Sequence, residues 1–259
     1  MPRADQQGTR AVPGPARAGQ EPPPVSSSPV SSDREPELLG TAARDYLQAL
    51  YEMEEEGIPT VRARLAAWMG VTLASVSEAV KRLVRDGLVR EDGRRLELTE
   101  EGGRLARVLV RRHRLAEHFL IRVLGLPWHR AHDEASRWER AISSEVEARM
   151  VEILGDPGTC PHGNPIPGSA NEPDLTALVS LTDVPAGERV ILRRLTEDLE
   201  LDLSVMRFFE ESGLLPGAEI RVVRVAPDGT RSLEVAGRPV ALGPHLADNV
   251  WVELAGEAP

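Results

Sequence analysis

Apolar residues recur at helical spacing from Leu38 to Met53, through Leu39, Ala43, Tyr46, Leu47, Leu50 and Tyr51, and Gly57 and Pro59 end that run. A second helix is predicted from Arg62 to Met69, stopped at Gly70. A third begins near Thr72, a capping residue type, and runs through Val76, Val80, Leu83 and Val84 to Gly87. Two short runs, Leu88-Val89 and Leu96–Leu98, then flank Asp92-Gly93, a hairpin signal. Helix, helix, turn, helix, hairpin is the order of a winged helix-turn-helix.

Thr99 followed by Glu100 and Glu101 predicts the cap of a long helix that carries VLVRRHRLAEHFLIRVLG and closes at Gly125. Another helical pattern covers His132 to Leu154, with Ala135, Trp138, Ile142, Val146, Met150 and Ile153 on its apolar face. That face is the candidate dimer contact, although an intramolecular core is equally compatible with it. The Pro- and Gly-dense stretch GDPGTCPHGNPIPGSANEP reads as an ordered loop leading into a linker. After about Ala177 the texture changes to short β-branched runs, RVILRRL, EIRVVRV, SLEVAG and NVWVEL, which predict a small β-barrel with SVMRFFEESG as a helical turn inside it.

The fold class is therefore mainly α with a small β domain. The expected organisation is a disordered tail over 1–37, a winged helix-turn-helix over 38–100, a helical dimerisation and metal-binding domain over 101–165, a linker over 166–180, and an SH3-like domain over 181–255. The tail rests on composition: residues 1–36 are rich in Pro, Ser, Gly and Ala and nearly free of large apolar groups. A chain of 259 residues with 41% hydrophobic and 28% charged residues can fill two or three small cores. No apolar run approaches the length of a membrane span, and the N-terminus lacks the apolar segment of a secretory signal. Cys160 stands alone, so no internal disulfide framework exists. A cytoplasmic location is expected.

Net charge of -10 looks wrong for a partner of nucleic acid until it is located. Residues 60–122 carry fourteen Lys and Arg against eight acids, whereas residues 123–259 carry twelve against twenty-three. A basic module on an acidic body is the asymmetry expected of a phosphate-binding segment. In a helix-turn-helix the second helix of the motif enters the major groove. Its N-terminal turns hold Thr72, Ala74, Ser75, Ser77 and Glu78, which are small or polar enough for close approach, and Lys81, Arg82 and Arg85 follow. Arg62 and Arg64 can grip phosphates from the preceding helix, and Arg94 and Arg95 sit where a wing tip would.

Two spacings carry metal chemistry. His113 and Glu117 lie four apart on one helix and share a face. Cys160 and His162 offer a thiolate and an imidazole in a loop where packing gives little reason for either. Such donors suit a borderline divalent ion.

The segment YLQALYEMEEEGIPTVRARLAAWMGVTLASVSEAVKRLVRDGLVRED, followed by VRRHRLAEHFL, HDEASRWERAISSEVEARM and CPHGNPIPG, resembles the diphtheria-toxin-repressor family of iron- and manganese-dependent repressors. The last 80 or so residues are more loosely similar to the family's SH3-like, FeoA-type domain. The resemblance implies a homodimer that binds a divalent metal, Mn(II) preferred with Fe(II) or Zn(II) possible, and then a palindromic double-stranded DNA operator of metal-homeostasis genes. It also implies that His113, Glu117 and His132 belong to one metal site. Some manganese-type members have CPHG with the Cys and His as ligands, which adds Cys160 and His162. A further ligand falls on Asp202, with Glu200 as a neighbouring possibility.

A second family site is matched by Asp45 and Glu139, but Ser136 and Arg140 stand where the family has ligands. Arg is always protonated and cannot coordinate a cation. Either Arg140 is a built-in cation paired with Asp45 and Glu139, or it points to solvent and a weak site survives. Two other functions compete: a winged-helix regulator that answers to a non-metal effector, and a metal-dependent hydrolase. No Ser/His/Asp arrangement or phosphate-cradling glycine loop supports an enzyme.

Overall fold

The structure is a computed structural model that describes residues 36 and 39–255, so the expected disordered tail lies almost wholly outside the described residues. The first unit contains α1 (Thr41–Glu55), α2 (Arg62–Trp68) and α3 (Leu73–Arg85), followed by the hairpin strands β1 (Val89–Asp92) and β2 (Arg95–Leu98). Asp92 pairs with Arg95, so the hairpin loop is Gly93-Arg94, and Gly93 takes the positive φ that this tight turn needs. Leu47, Leu50, Met53, Leu65, Val76, Val80, Leu83 and Leu96 are the buried centre of this unit.

Thr99 caps α4 (Glu100–Arg122) by accepting the Gly102 N–H, and its hydroxyl donates to the Gly87 carbonyl. This ties the long helix to the end of α3. A Cβ on Gly102 would lie 1.9 Å from the Leu88 carbonyl oxygen, which the Thr99 N–H already holds. Gly103 has only the far end of the Arg107 side chain, at 4.0 Å. Gly102→Ala should therefore destabilise the chain by about 1–3 kcal/mol. Gly103→Ala should stabilise it by roughly 0.5–1 kcal/mol through helix propensity. Thermal denaturation of the two variants should shift in opposite directions.

The predicted helix from His132 to Leu154 is two helices, α5 (Ala131–Trp138) and α6 (Ser144–Leu154). Between them the chain makes a 3-10 turn at Glu139–Ala141, and Ile142 goes extended at ψ 113°. The hydroxyl of Ser143 accepts the Val146 N–H and starts the second helix. Continuous apolar periodicity hid this break, because Ile142 still reaches the core from the extended residue. Buried Leu115, Leu120, Ala135, Ile142, Met150 and Ile166 form that core. Trp138, Val146 and Ile153 stay exposed, so the expected dimer face divides between core and surface.

The last unit is an antiparallel sheet of β3 (Val179–Ser180), β4 (Arg189–Leu195), β5 (Glu219–Val225), β6 (Arg231–Val235), β7 (Arg238–Leu242) and β8 (Val250–Leu254), in the order β3-β8-β4-β5-β6-β7. Between β4 and β5 lie the short α7 (Glu197–Glu200) and α8 (Leu203–Ser212), and α9 (Pro244–Asp248) precedes β8. Its core takes in Trp128 from the helical unit, beside Leu181, Leu192, Phe209 and Val252. Among the described residues no helix is long and apolar enough to cross a membrane.

Candidate metal centre

Helix α4 places His113 and Glu117 one turn apart on a buried face, and the first turn of α5 sets His132 opposite them. Cys160 and His162 come from the Pro/Gly loop, which is closed by the Cys160 N–H donating to the Asn164 carbonyl and by a Thr159–Pro165 bridge. Gly163 makes this loop possible. It sits at φ +97°, and a Cβ there would lie 2.0 Å from the Arg193 carbonyl oxygen of β4. The close approach lets the Leu195 N–H donate to the His162 carbonyl. Glu197 and Glu200 arrive on α7. Four segments distant in sequence therefore meet.

Glu117, Cys160, His162 and Glu200 form one group of donors whose ligand atoms all lie within 4.8 Å of one another, and His113, His132 and Glu197 form another. None of the seven is more than 9% exposed. The His162 Nδ1 is 2.7 Å from Glu200 Oε2 and 3.3 Å from Glu117 Oε1. The His113 Nε2 is 3.3 Å from Glu117 Oε1 and 3.2 Å from His132 Nδ1. Cross-ion ligand edges of about 3.0–3.4 Å follow from metal–ligand distances near 2.1 Å, so these spacings fit a coordination shell.

The far side of several donors is engaged. His113 Nδ1 lies 2.7 Å from Glu139 Oε2, the Asn164 amide donates to Glu200 Oε1, and His162 Nε2 lies 3.5 Å from the Trp128 carbonyl. The near side meets only the imidazoles: both oxygens of Glu117 and Oε2 of Glu200 are buried without a hydrogen bond, with His162 and His113 at ion-pair distance. Orphaned buried oxygens are costly unless something positive takes them up. Burial alone would raise Glu117, yet His162 and His113 hold its carboxyl well below the ordinary range. Burial opposes a charge on His132 as well, and Glu117 and Glu200 push it up to about 10. Burial, then Glu117 and Glu200, raise the Cys160 thiol. The carboxylates thus demand positive charge, which either protons on the imidazoles or a cation can supply. Nitrogen, sulfur and oxygen donors together fit a borderline divalent transition metal.

The site residues expected from sequence divide. His113, Glu117, His132, Cys160 and His162 converge. Asp202 does not: it is exposed at the N-cap of α8, where Oδ1 accepts the Ser204 and Val205 N–H groups, and Glu200 stands in the cluster instead. Glu197 was missed by sequence reading, although its spacing of three from Glu200 could have signalled it. Glu139 turns toward His113 as an outer partner that orients the ring, while Asp45 accepts Arg140 Nη2 at 3.0 Å. Arg140 thus reaches Asp45 but not Glu139, and the pair is 46% and 34% exposed, so it contributes little. Asp45, Ser136, Glu139 and Arg140 line a cavity of about 350 Å³ that also touches His132.

Two chains of ion pairs tie α7 to the end of α1. Arg114, 1% exposed, bonds Glu55 at 2.6 Å and Glu197 at 3.2 Å. Arg194 reaches Glu56 at 2.6 Å and also donates to Asn164, the amide that holds Glu200. Glu52, buried on α1, is pushed up to about 8 by burial and by Glu197.

In the first unit, Thr72, Leu73, Ala74 and Ser75 are exposed at the start of α3. Thr72 accepts the Ser75 N–H, Ser77 donates back to the Leu73 carbonyl, and Glu78 pairs with Lys81. Arg64, Arg82 and Arg85 are exposed. Arg62 is committed to Glu91 of the wing at 2.6 Å, which leaves it less free for phosphate than the sequence suggested.

Residues 38–95 match the iron-dependent repressor N-terminal DNA-binding domain, residues 99–168 the iron-dependent repressor metal-binding and dimerisation domain, and residues 179–254 the FeoA domain. The chain is 42% identical over 228 residues to the iron-dependent repressor IdeR of Mycobacterium tuberculosis, an alignment covering 84% of this chain and 98% of the relative. It is 35% identical over 218 residues to the diphtheria toxin repressor of Corynebacterium diphtheriae, covering 80% and 95%. Among solved structures, a manganese-dependent transcriptional repressor in complex with manganese shares 32% identity at a TM-score of 0.73, over 82% of this chain and 99% of that one. ScaR with bound cadmium shares 29% identity at a TM-score of 0.68, over 82% and 99%. Three consecutive domains, matched in order and nearly end to end, place this chain in the diphtheria-toxin-repressor family of iron- and manganese-dependent transcriptional repressors.

Proposed function

We propose that this protein is a homodimeric repressor that binds its DNA operator when the buried centre around Glu117 holds a divalent transition metal. The convergence of seven buried donors from two domains, with orphaned oxygens on Glu117 and Glu200, carries the reading. The cation supplies the positive charge that compensates these carboxylates. The residues do the rest. Glu139 fixes the His113 ring, Asn164 fixes Glu200, and α7 is pinned through Arg114 and Arg194 to the last turn of α1. A ligand shifts an equilibrium only by its differential affinity for two states. Here the favoured state is the one in which α7, α4 and the Cys160 loop are together, which sets the position of α1 and the helix pair behind it. The exposed apolar residues Trp138, Val146, Ile153 and Leu124 are the proposed contact with the second copy.

Asp45 no longer favours manganese, since it bonds Arg140. Manganese, iron and zinc all suit the seven donors. A gel shift on the promoter upstream of the protein's own gene, with each metal and with chelator at one stated salt, tests the reading. Retention that depends on metal is expected; retention unchanged by chelator would refute it. Arg82→Ala should weaken specific and non-specific DNA binding alike and reduce the salt slope by about 1, as loss of one phosphate contact does. A change confined to one base position would instead make Arg82 a base reader.

A further inference from the structure

We propose that the cavity beside Asp45 is the passage through which the divalent cation enters and leaves the buried centre, with Arg140 and Asp45 as its electrostatic gate. This rests on the reading of the centre as a metal site and adds the route to it. Six of the seven donors, His113, Glu117, Cys160, His162, Glu197 and Glu200, are no more than 2% exposed, so an ion cannot meet them directly from solvent. His132 is 9% exposed, and of the seven it is the one that lines the cavity of about 350 Å³.

The cavity has an outer and an inner end. Arg140 and Asp45 stand at the outer end, their side chains 46% and 34% exposed. Ser136 lies one helical turn beyond His132 on α5, donates to the His132 carbonyl at 3.0 Å and lines the wall. Glu139 lines the cavity too, and its Oε2 is 2.7 Å from His113 Nδ1, so the inner end meets both histidines of one donor group. On the other sides the Cys160 loop seats against β4 through Gly163, and α7 is held by Arg114.

The charges suit a passage and not a resting place. Asp45 and Glu139 attract a divalent cation, whereas Arg140 has no lone pair and repels one. Paired at 3.0 Å, Arg140 and Asp45 nearly cancel at the mouth. A charge placed there acts on the ion in transit more than on the ion once bound. Because entry and exit share the path, a change at the mouth moves both rate constants together and leaves their ratio alone.

Stopped-flow mixing of the full-length chain with Co(II) tests this. The readout is tryptophan fluorescence, since the Trp128 ring lies 4.6 Å from that of His162, and Kd comes from equilibrium titration. Arg140→Gln frees Asp45 and should raise the association and dissociation rate constants by on the order of fivefold at low ionic strength, and by less at high salt. Asp45→Asn leaves Arg140 unpaired and should lower both by a similar factor. Ser136→Phe narrows the path and should slow both at any salt concentration. Kd should stay nearly unchanged in all three, which also reports that each variant is folded. Binding with rates indifferent to all three overturns the passage and leaves the metal-dependent reading intact; acceleration by Arg194→Met, which loosens α7, would then put the entry there. A Kd that shifts as far as the association rate overturns the proposal by making the cavity a place where an ion rests. No bound Co(II) at any concentration overturns both.

Discussion

Glu117→Gln is expected to abolish metal-dependent operator binding while the chain stays folded. The replacement has the same shape, but its neutral carbonyl is a weaker donor and its amide points protons toward His113 and His162, each 3.3 Å from Glu117 Oε1. Outer partners of a metal ligand typically cost ten- to a hundredfold in affinity when lost, so loss of a ligand facing both donor groups should cost at least about a hundredfold. Linkage makes this visible without DNA. At a metal concentration of a hundred times Kd the folded state gains about 2.7 kcal/mol, and after a hundredfold weakening only about 0.4 kcal/mol remains. The rise in Tm on adding Mn(II) should therefore nearly vanish in the variant, and the gel shift should become indifferent to metal. An unchanged Tm response together with unchanged metal-dependent retention would remove Glu117 from the centre.

What the sequence made legible was whatever local spacing encodes. The helix-turn-helix and its wing followed from periodicity and from the Asp92-Gly93 signal, and the α4 pair followed from a four-residue spacing. Cys160 and His162 stood out because a thiol and an imidazole in a Pro/Gly loop lack a packing reason. Three things were not legible. The break at Ile142 was masked, since its side chain stays buried whether the backbone is helical or extended. The choice of Glu200 over Asp202 depends on α7, a single turn whose direction is set by tertiary contacts with Glu56 and Asn249 rather than by its own residues. The roles of Glu55, Glu56, Arg114 and Arg194 depend on pairings across as many as 141 residues of sequence. On a helix surface they read as ordinary solvated charges, and only the burial of Arg114 beneath three other segments sets it apart.

Replacing Arg114 should produce the largest loss of stability. Its guanidinium is 1% exposed and bonds both oxygens of Glu55, Glu197 Oε2 and the Pro165 carbonyl, thereby joining α1, α4, α7 and the Cys160 loop. Arg114→Met keeps much of the volume and removes the charge, which leaves Glu197 at 2% exposure without its cation. Breaking a buried pair in this way costs about 3–5 kcal/mol. For a domain of this size that corresponds to a fall in Tm of roughly 6–20 °C. All seven donors remain, and a metal beside Glu197 can replace part of the missing positive charge. The Tm gain from Mn(II) should therefore be larger in Arg114→Met than in the parent, the reverse of Glu117→Gln. Combining it with Glu197→Gln should cost less than the two separate losses added together, because the uncompensated carboxylate is then absent. Operator affinity at saturating metal should still be lower, since the end of α1 then keeps only the contacts of Glu56, with Arg194 of β4 and with the Glu197 N–H of α7. Strict additivity, with an unchanged metal response, would mean that Arg114 supports the fold alone and carries nothing between the centre and the DNA-binding unit.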